Sequence, residues 1–241
     1  MIEPAFLYEA FLTLLPGVPL ILQLALVSFL LGGLLSVPVA MMRMARNPVL
    51  SFAARIYIVV FRGTPLLLQI FLIYYGLAQV DFIRNGPLWI LFRDPYFCAI
   101  LALTLNMAAY ASEAVRGGLL SVPHGQVEAA RASGMSRWLM LRRIILPLAL
   151  RQSLPAFGNE LIIMIKSTSL ASIITVMETT GIASRLMSET YRVVEVLIAA
   201  GAIYLTMSFL SARAVQALEH WLSPHLRPTT DVIPDLKRGA A

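Results

Sequence analysis

Five long apolar blocks, separated by polar connectors, constrain the fold of this chain most strongly. They lie near residues 18–42, 56–80, 96–115, 144–165 and 193–218. A helix needs about 20 mostly apolar residues to cross the hydrocarbon core of a membrane. Of the 241 residues, 59% are hydrophobic and only 13% are charged, a composition outside the range of soluble domains. The sequence therefore predicts an all-α, polytopic membrane protein with about five transmembrane helices in one domain, residues 1–222.

The basic residues are concentrated in two of the connectors. Residues 43–62 and 116–151 carry Arg43, Arg46, Arg55, Arg62, Arg116, Arg131, Arg137, Arg142, Arg143 and Arg151. Connectors rich in Lys and Arg face the cytoplasm. We therefore expect the N-terminus outside the cell and the C-terminus in the cytoplasm, where residues 223–241 form a mobile tail.

The sequence lacks the motifs that are typical of several other function classes. The single Cys98 cannot form an internal disulfide, and no Cys/His cluster has the spacing of a metal site. No P-loop motif for nucleotide triphosphate occurs, so ATP chemistry would belong to a partner. The basic residues alternate with apolar blocks and form no basic patch interleaved with aromatic residues, which argues against nucleic acid. No nucleophile and base pair points to an enzyme, and we expect the chain to bind no cofactor.

A polar segment between the third and fourth blocks predicts a short helix, a tight bend and a second helix. Ser121 is placed to cap the first helix, which contains Glu128. Gly134 lies where a left-handed residue would end that helix, and Ser136 is placed to cap the next one. The alternative is an ordinary basic loop on the inner membrane face.

The second block is interrupted by Arg62, Gly63, Thr64 and Pro65. Proline disfavours helical geometry at the preceding residue and removes a backbone donor, so the freed backbone groups need other partners. A break of this kind implies a site enclosed by protein. The alternative is that Arg62 only marks the inner boundary of the span.

In the third block, polar side chains share one helix face. Asn106, Tyr110 and Glu113 fall at positions i, i+4 and i+7, and such a face is expected to look into the bundle because charged groups are costly in lipid. Glu113 also lies one turn before Arg116, which favours an ion pair at the helix end.

The fourth block is the most polar of the five, and it carries Ser153, Phe157 and Glu160 on one face at i, i+4 and i+7. Glu160 has no cation three or four residues away, so its partner must come from elsewhere. The candidates are a basic residue of another subunit, a proton and a cationic substrate. Membrane carboxylates also serve in structural hydrogen-bonded networks, and that alternative stays open.

Four stretches of the sequence resemble those of a known family. Glu128-Ala129-Ala130, Gly134 and Ile145-Leu146-Pro147 are similar to the EAA loop of bacterial ABC importer permeases, with the coupling loop at about residues 117–143. Three other stretches are similar to the polar amino-acid permeases of the histidine/lysine/arginine/ornithine and octopine/nopaline type. These stretches are Phe61-Arg62-Gly63-Thr64-Pro65-Leu66; Leu105-Asn106 with Ala109-Tyr110 and Glu113; and Asn159-Glu160 with Lys166-Ser167-Thr168-Ser169-Leu170-Ala171. The resemblance extends over residues 10–220.

The resemblance implies a type I ABC importer fold and a multi-pass permease subunit of the bacterial inner membrane. Its partners would be membrane lipid, a homologous permease or a second copy, an extracytoplasmic substrate-binding protein, and two ATPase subunits that bind ATP and Mg. The substrate would be a polar, cationic amino acid or an opine. The alternative is an ion-coupled secondary transporter with Glu160 or Glu113 as its proton site, although such folds usually contain internal repeats and none is found here.

The resemblance also implies roles for individual residues. Glu128, Ala129, Ala130, Gly134 and Pro147 would couple the chain to the ATPase. Asn106, Tyr110, Ser153, Phe157 and Glu160 would line the substrate path. Arg62, Gly63, Thr64, Pro65 and Glu113 would be structural or gate residues. Residues 167–169 and Glu178, in the polar segment before the last block, would cap the path and meet the binding protein, on a re-entrant or surface helix.

Overall fold

The computed structural model describes residues 3–222, and every regular element in that part of the chain is helical. The α-helices are α1 Pro4–Leu14, α2 Val18–Met44, α3 Pro48–Gly63, α4 Leu66–Phe71, α5 Asp81–Arg84, α6 Trp89–Phe92, α7 Pro95–Leu120, α8 His124–Ala132, α9 Arg137–Met140, α10 Leu146–Ser167, α11 Thr179–Thr190 and α12 Val193–Leu222. Short 3₁₀ segments lie at Leu15–Gly17, Leu77–Gln79 and Thr168–Ile174, and π-helical turns at Leu72–Gly76 and Leu141–Ile145. The predicted tail at residues 223–241 lies outside the described residues.

Four helical stretches of the described residues are long and apolar enough to cross a membrane. They are Pro4–Met44, Pro95–Leu120, Arg137–Ile174 and Val193–Trp221. A fifth span results if Pro48–Gly63 and Leu66–Gln79 are counted together, although the chain bends by 108° between them. The all-α class and the count of about five spans are therefore confirmed. The block at 56–80, however, is not one continuous helix.

The first span is also longer than the predicted block at 18–42. Helix continues from Pro4 through the 3₁₀ turn to Met44, 41 residues in all. At a rise of about 1.5 Å per residue this amounts to roughly 60 Å, twice the thickness of the hydrocarbon core. Its first part, α1, packs against α12.

Helix α7 is at the centre of the bundle and contacts α2, α3, α4 and α10. Small residues allow these close approaches: a Cβ on Gly32 of α2 would lie 2.6 Å from the Met107 side chain, and a Cβ on Gly118 of α7 would overlap the Ser153 hydroxyl and the Ala149 carbonyl. Close packing of this kind is common where small residues line the contact between membrane helices. It fixes α10 against α7 in an antiparallel register.

The segment between α10 and α12 folds back on the start of the chain. Its turns use left-handed backbone at Thr175 and Tyr191, and the Thr179 hydroxyl donates a hydrogen bond to the carbonyl of Leu14 at 3.4 Å. The Arg192 guanidinium forms an ion pair with Glu3 at 2.6 Å. The beginning of α1 and the beginning of α12 therefore lie at the same end of the bundle.

Candidate functional site

The helix predicted in the polar connector is α8, His124–Ala132, but Ser121 does not cap it. The Ser121 hydroxyl instead donates to the carbonyl of Gly118 at 2.8 Å, and Pro123 precedes α8 without a side-chain cap. The predicted cap is wrong because α7 continues to Leu120, and the Ser121 hydroxyl forms its hydrogen bond with the last turn of α7 instead of the first turn of α8.

The end of α8 agrees with the sequence. Gly134 has φ +75°, a conformation that favours glycine. The Gly134 N–H donates to Arg131 O at 3.0 Å, and the Met135 N–H donates to Ala130 O at 3.1 Å. The Ser136 hydroxyl accepts a hydrogen bond from the Leu139 N–H at 3.3 Å and so caps α9. The backbone therefore turns sharply at Gly134, as predicted.

Apart from Gly134, which forms the turn, the predicted coupling residues divide into an exposed pair and a more buried pair. Glu128 and Ala129 are exposed, whereas Ala130 is buried and Pro147 is partly buried. A cleft of about 480 Å³ lies between α8 and the beginning of α10. Its lining includes Ala129, Ala130, Arg143, Pro147 and Arg151. Helix α8 packs against α9 and the π-helical turn Leu141–Ile145 that leads into α10, so one side of α8 faces the base of α10 across this cleft and the other side faces outward.

The helix break at Thr64 and Pro65 is held by the buried amide of Gln69 and the partly buried amide of Asn106. Thr64 has extended backbone, φ −113° and ψ 145°. The Gln69 amide nitrogen donates to the carbonyls of Phe61 (2.8 Å) and Thr64 (3.1 Å) and to the Thr64 hydroxyl (2.9 Å). Asn106 of α7 donates to the Gln69 amide oxygen at 3.0 Å and to Phe61 O at 3.3 Å. The predicted need for new backbone partners is thus met by Gln69 and Asn106.

Gln69 was missed by the sequence analysis. It is only 6% exposed. Its signal was a polar residue four positions after Pro65 in an otherwise apolar stretch. The Asn106 amide, predicted to line the substrate path, instead forms hydrogen bonds with Phe61 O and the Gln69 side chain at this break.

Arg62 lies directly before the break and faces α7. Its guanidinium carbon is 5.0 Å from the centre of the Tyr110 ring, within the range of a cation–π contact. Glu160 of α10 is partly buried and shares the face of α10 on which Ser153 bonds to α7. Among residues 3–222, the ion pairs shorter than 4.0 Å include neither Arg62 nor Glu160. The structure therefore brings Arg62, Tyr110 and Glu160 into one region.

Ser153 and Phe157 pack inside the subunit. The Ser153 hydroxyl is buried and donates to the carbonyls of Ala114 (3.0 Å) and Ala149 (2.8 Å). The Phe157 ring lies edge-on to the ring of Phe29, with 6.2 Å between centroids. Of the α10 face predicted to line a path, only Glu160 is left without such a packing role.

The predicted ion pair at the end of α7 is present. Glu113 pairs with Arg116 at 2.6 Å, and Arg43 of α2 approaches the same carboxylate at 3.9 Å. Glu113 therefore ties the ends of α2 and α7 together.

Glu178 is wholly buried and cannot contact a binding protein, contrary to expectation. Its carboxylate accepts hydrogen bonds from the backbone N–H groups of Thr180 (2.8 Å) and Gly181 (3.0 Å) and from the Tyr204 hydroxyl (2.6 Å). It is the N-cap of α11 and links that helix to α12. Burial raises the pKa of Glu178, although these hydrogen bonds act in the opposite direction.

The fold and site together define a class: a helical membrane subunit that presents a short docking helix between two spans. The chain belongs to the family of binding-protein-dependent transport system inner membrane components, whose sequence profile matches residues 32–224. It is thus a membrane-spanning permease subunit, and the Glu128-Ala129-Ala130 to Gly134 motif is consistent with that family. The predicted family, fold class and function are confirmed at this level.

Individual relatives and a solved structure agree. The octopine transport system permease protein OccM of Rhizobium meliloti is 56% identical over 227 residues, 94% of this chain and 93% of that protein. The histidine/lysine/arginine/ornithine permease protein HisM of Salmonella typhimurium is 40% identical over 208 residues, 86% and 88% of the two chains. A crystal structure of an amino acid ABC transporter with histidines matches with a TM-score of 0.81 at 32% identity, covering 92% of this chain and 99% of that one.

Proposed function

We propose that this chain is one half of a two-subunit pore that imports polar, cationic amino acids or opines across the bacterial inner membrane. The similar permeases are described as transporting octopine, nopaline, or histidine, lysine, arginine and ornithine. Among these substrates, octopine and nopaline contain the same guanidinium group as arginine. The second half of the pore would be a homologous permease or a second copy, embedded with this chain in membrane lipid.

Helix α8 is the proposed contact with an ATPase partner, which would bind ATP and Mg. Glu128 and Ala129 are free to meet that partner because they are exposed, whereas Ala130 is buried and lines the cleft between α8 and α10. A displacement of α8 by the partner would be passed to α10 through α9 and the π-helical turn Leu141–Ile145, which α8 contacts. The subunit would then change between inward-open and outward-open states. The turn at Gly134 fixes the angle at which α8 is held.

The proposed topology has the N-terminus outside and α8 in the cytoplasm. Helix α8 follows closely after the end of α7, which carries the Glu113–Arg116 pair and lies beside Arg43 at the end of α2. The Glu3–Arg192 pair lies at the opposite end. In a variant without Cys98, a cysteine at Arg137 should react with impermeant reagents only from the cytoplasmic side and a cysteine at Arg84 only from outside. Reversed labelling would refute the topology.

The external binding protein is proposed to dock at that outer end. Glu178 is buried there, but the turn between α11 and α12 exposes 88% of the Tyr191 side chain, so the surface offered to the binding protein would be α11 and this turn. The buried Glu178 carboxylate would then hold the docking surface in place against α12.

The proposed preference for a cationic substrate depends on Glu160. Its carboxylate is partly buried on a central helix, and no ion pair within residues 3–222 neutralises it. Breaking a fully buried charge pair costs about 3 to 5 kcal/mol, and water in a path would lower that figure. We therefore expect Glu160→Gln to weaken uptake of arginine about tenfold, equivalent to about 1.4 kcal/mol.

The test is competitive uptake of arginine and citrulline, its neutral analogue of the same size, by complexes at matched amounts. Glu160→Gln should remove the preference for arginine. Glu195→Gln, a change of a partly buried glutamate in the first turn of α12, should leave it intact. An unchanged preference in Glu160→Gln would rule out the substrate role.

A further inference from the structure

Arg62 is a cation placed beside the proposed substrate path, and the fold holds its backbone firmly. The two backbone carbonyls that flank it closely, those of Phe61 and Thr64, both accept hydrogen bonds from the buried Gln69 amide. Asn106 adds a second donor to Phe61 O. The backbone at Arg62 is therefore fixed, and its side chain, although exposed in this subunit, extends over α7 from a defined position.

Tyr110 provides the surface on which the Arg62 guanidinium lies, at 5.0 Å from the ring centre. Arginine stacks on aromatic rings in this way because the guanidinium is planar and weakly hydrated. Arg62 is exposed in this subunit, so its guanidinium has room to leave the ring.

Glu160 lies at the level of this contact. The Ser153–Ala114 hydrogen bond sets the antiparallel register of α10 and α7. Along its helix Glu160 lies seven residues beyond Ser153, a rise of roughly 10 Å. Tyr110 and Asn106 lie four and eight residues beyond Ala114, or roughly 6 and 12 Å along α7 in the same direction. The carboxylate therefore lies between the levels of Tyr110 and Asn106, on the face of α10 that Ser153 turns toward α7, and so in the neighbourhood of the Arg62 guanidinium that lies on Tyr110.

An aromatic face within reach of a carboxylate is also what would recognise the side chain of an arginine-like substrate. We propose that Arg62 is an internal substitute for the substrate cation: its guanidinium balances Glu160 while the path is empty, and an incoming guanidinium displaces it from Tyr110. Arg62 is then a specificity-determining residue that weakens the binding of cations and keeps the carboxylate from remaining unpaired. The proposal rests on the proposed role of Glu160.

The experiment measures equilibrium binding of arginine and citrulline to the purified complex of the permease pair and its ATPases, without the binding protein. Arg62→Gln should tighten arginine binding about three- to tenfold, the range expected from loss of a cation–π contact and a partly screened charge. Citrulline binding should not change. Arg62→Lys keeps the charge and should bind arginine within about twofold of the wild type.

Two further variants make the result specific. Arg55→Gln changes an exposed arginine two turns earlier on α3 and should leave both affinities unchanged. In the double variant Arg62→Gln/Glu160→Gln, the gain from removing Arg62 should disappear, because the carboxylate that it balances is gone.

Three outcomes would overturn the proposal. Weaker binding of both ligands in Arg62→Gln would mean that Arg62 holds a substrate carboxylate. An unchanged arginine affinity would mean that Arg62 does not compete, and a gain that persists without Glu160 would break the link between the two groups. These outcomes differ from failure of the proposed function, which would appear as an unaltered arginine preference in Glu160→Gln alone.

Discussion

Replacing Gln69 by leucine tests whether the buried amide clamp holds the helix break. Leucine is similar in size but has no hydrogen-bonding group. The four hydrogen bonds of the Gln69 side chain would be lost. Phe61 O would retain Asn106 as a donor, whereas Thr64 O and the Asn106 amide would each lose a partner.

The loss of stability in Gln69→Leu follows from the two groups that lose a partner, Thr64 O and the Asn106 amide. A buried polar group left without its partner costs about 1 to 3 kcal/mol. Two of them give about 2 to 6 kcal/mol, and because Thr64 is exposed to solvent in this subunit, water would compensate for part of the loss. We therefore expect the stability to fall by about 2 to 3 kcal/mol.

The assay is thermal unfolding of the purified complex in detergent, together with uptake at a permissive temperature. Gln69→Leu should lower the unfolding temperature by several degrees and reduce uptake, since Arg62 would no longer be held over Tyr110. Gln79→Leu is the matched control, because Gln79 is exposed at the end of the same segment. Equal unfolding temperatures for the two variants would refute the clamp.

Two further predictions concern the ends of α8 and α11. Gly134→Val places a β-branched residue at φ +75°, at a cost of about 1 to 2 kcal/mol. Uptake and substrate-stimulated ATP hydrolysis should therefore fall at normal complex levels, whereas the control Gly125→Ala within α8 should not reduce them. Normal coupling in Gly134→Val would contradict the docking role. Because the folded-state pKa of Glu178 is raised above its ordinary value of 4.5, its contribution to stability is complete below that pH and is lost as the pH rises through the raised pKa. The wild type should therefore lose stability with rising pH relative to Glu178→Gln in thermal unfolding, and a constant difference between the two would disprove this.

Features set by neighbours in the sequence could be predicted. The left-handed turn at Gly134, the Ser136 cap and the Glu113–Arg116 pair depend on residues within one helical turn. The interruption at Pro65 follows from the covalent structure of proline. Ser121 was misassigned because two helices compete for its hydroxyl, and the length of α7 decides which one takes it.

Features set by helix packing could not be predicted. Gln69, four positions after Pro65, had a local signal that was overlooked, whereas the bonds from Asn106 to the break at Thr64 depend on the placement of α7, so they emerged only from the structure. The same holds for Ser153 and Phe157, whose helix face was found but not the neighbours that cover it. The buried Glu178–Tyr204 contact joins residues 26 positions apart and has no local signal.

The most direct test of the central claim is uptake by liposomes that contain this chain, its partner permease and the ATPases, with the binding protein outside. Arginine or octopine should accumulate when ATP is supplied on the ATPase side, and dissipating the proton gradient should have no effect. Accumulation driven by a proton gradient without ATP would contradict the claim, because the chain would then be an ion-coupled transporter.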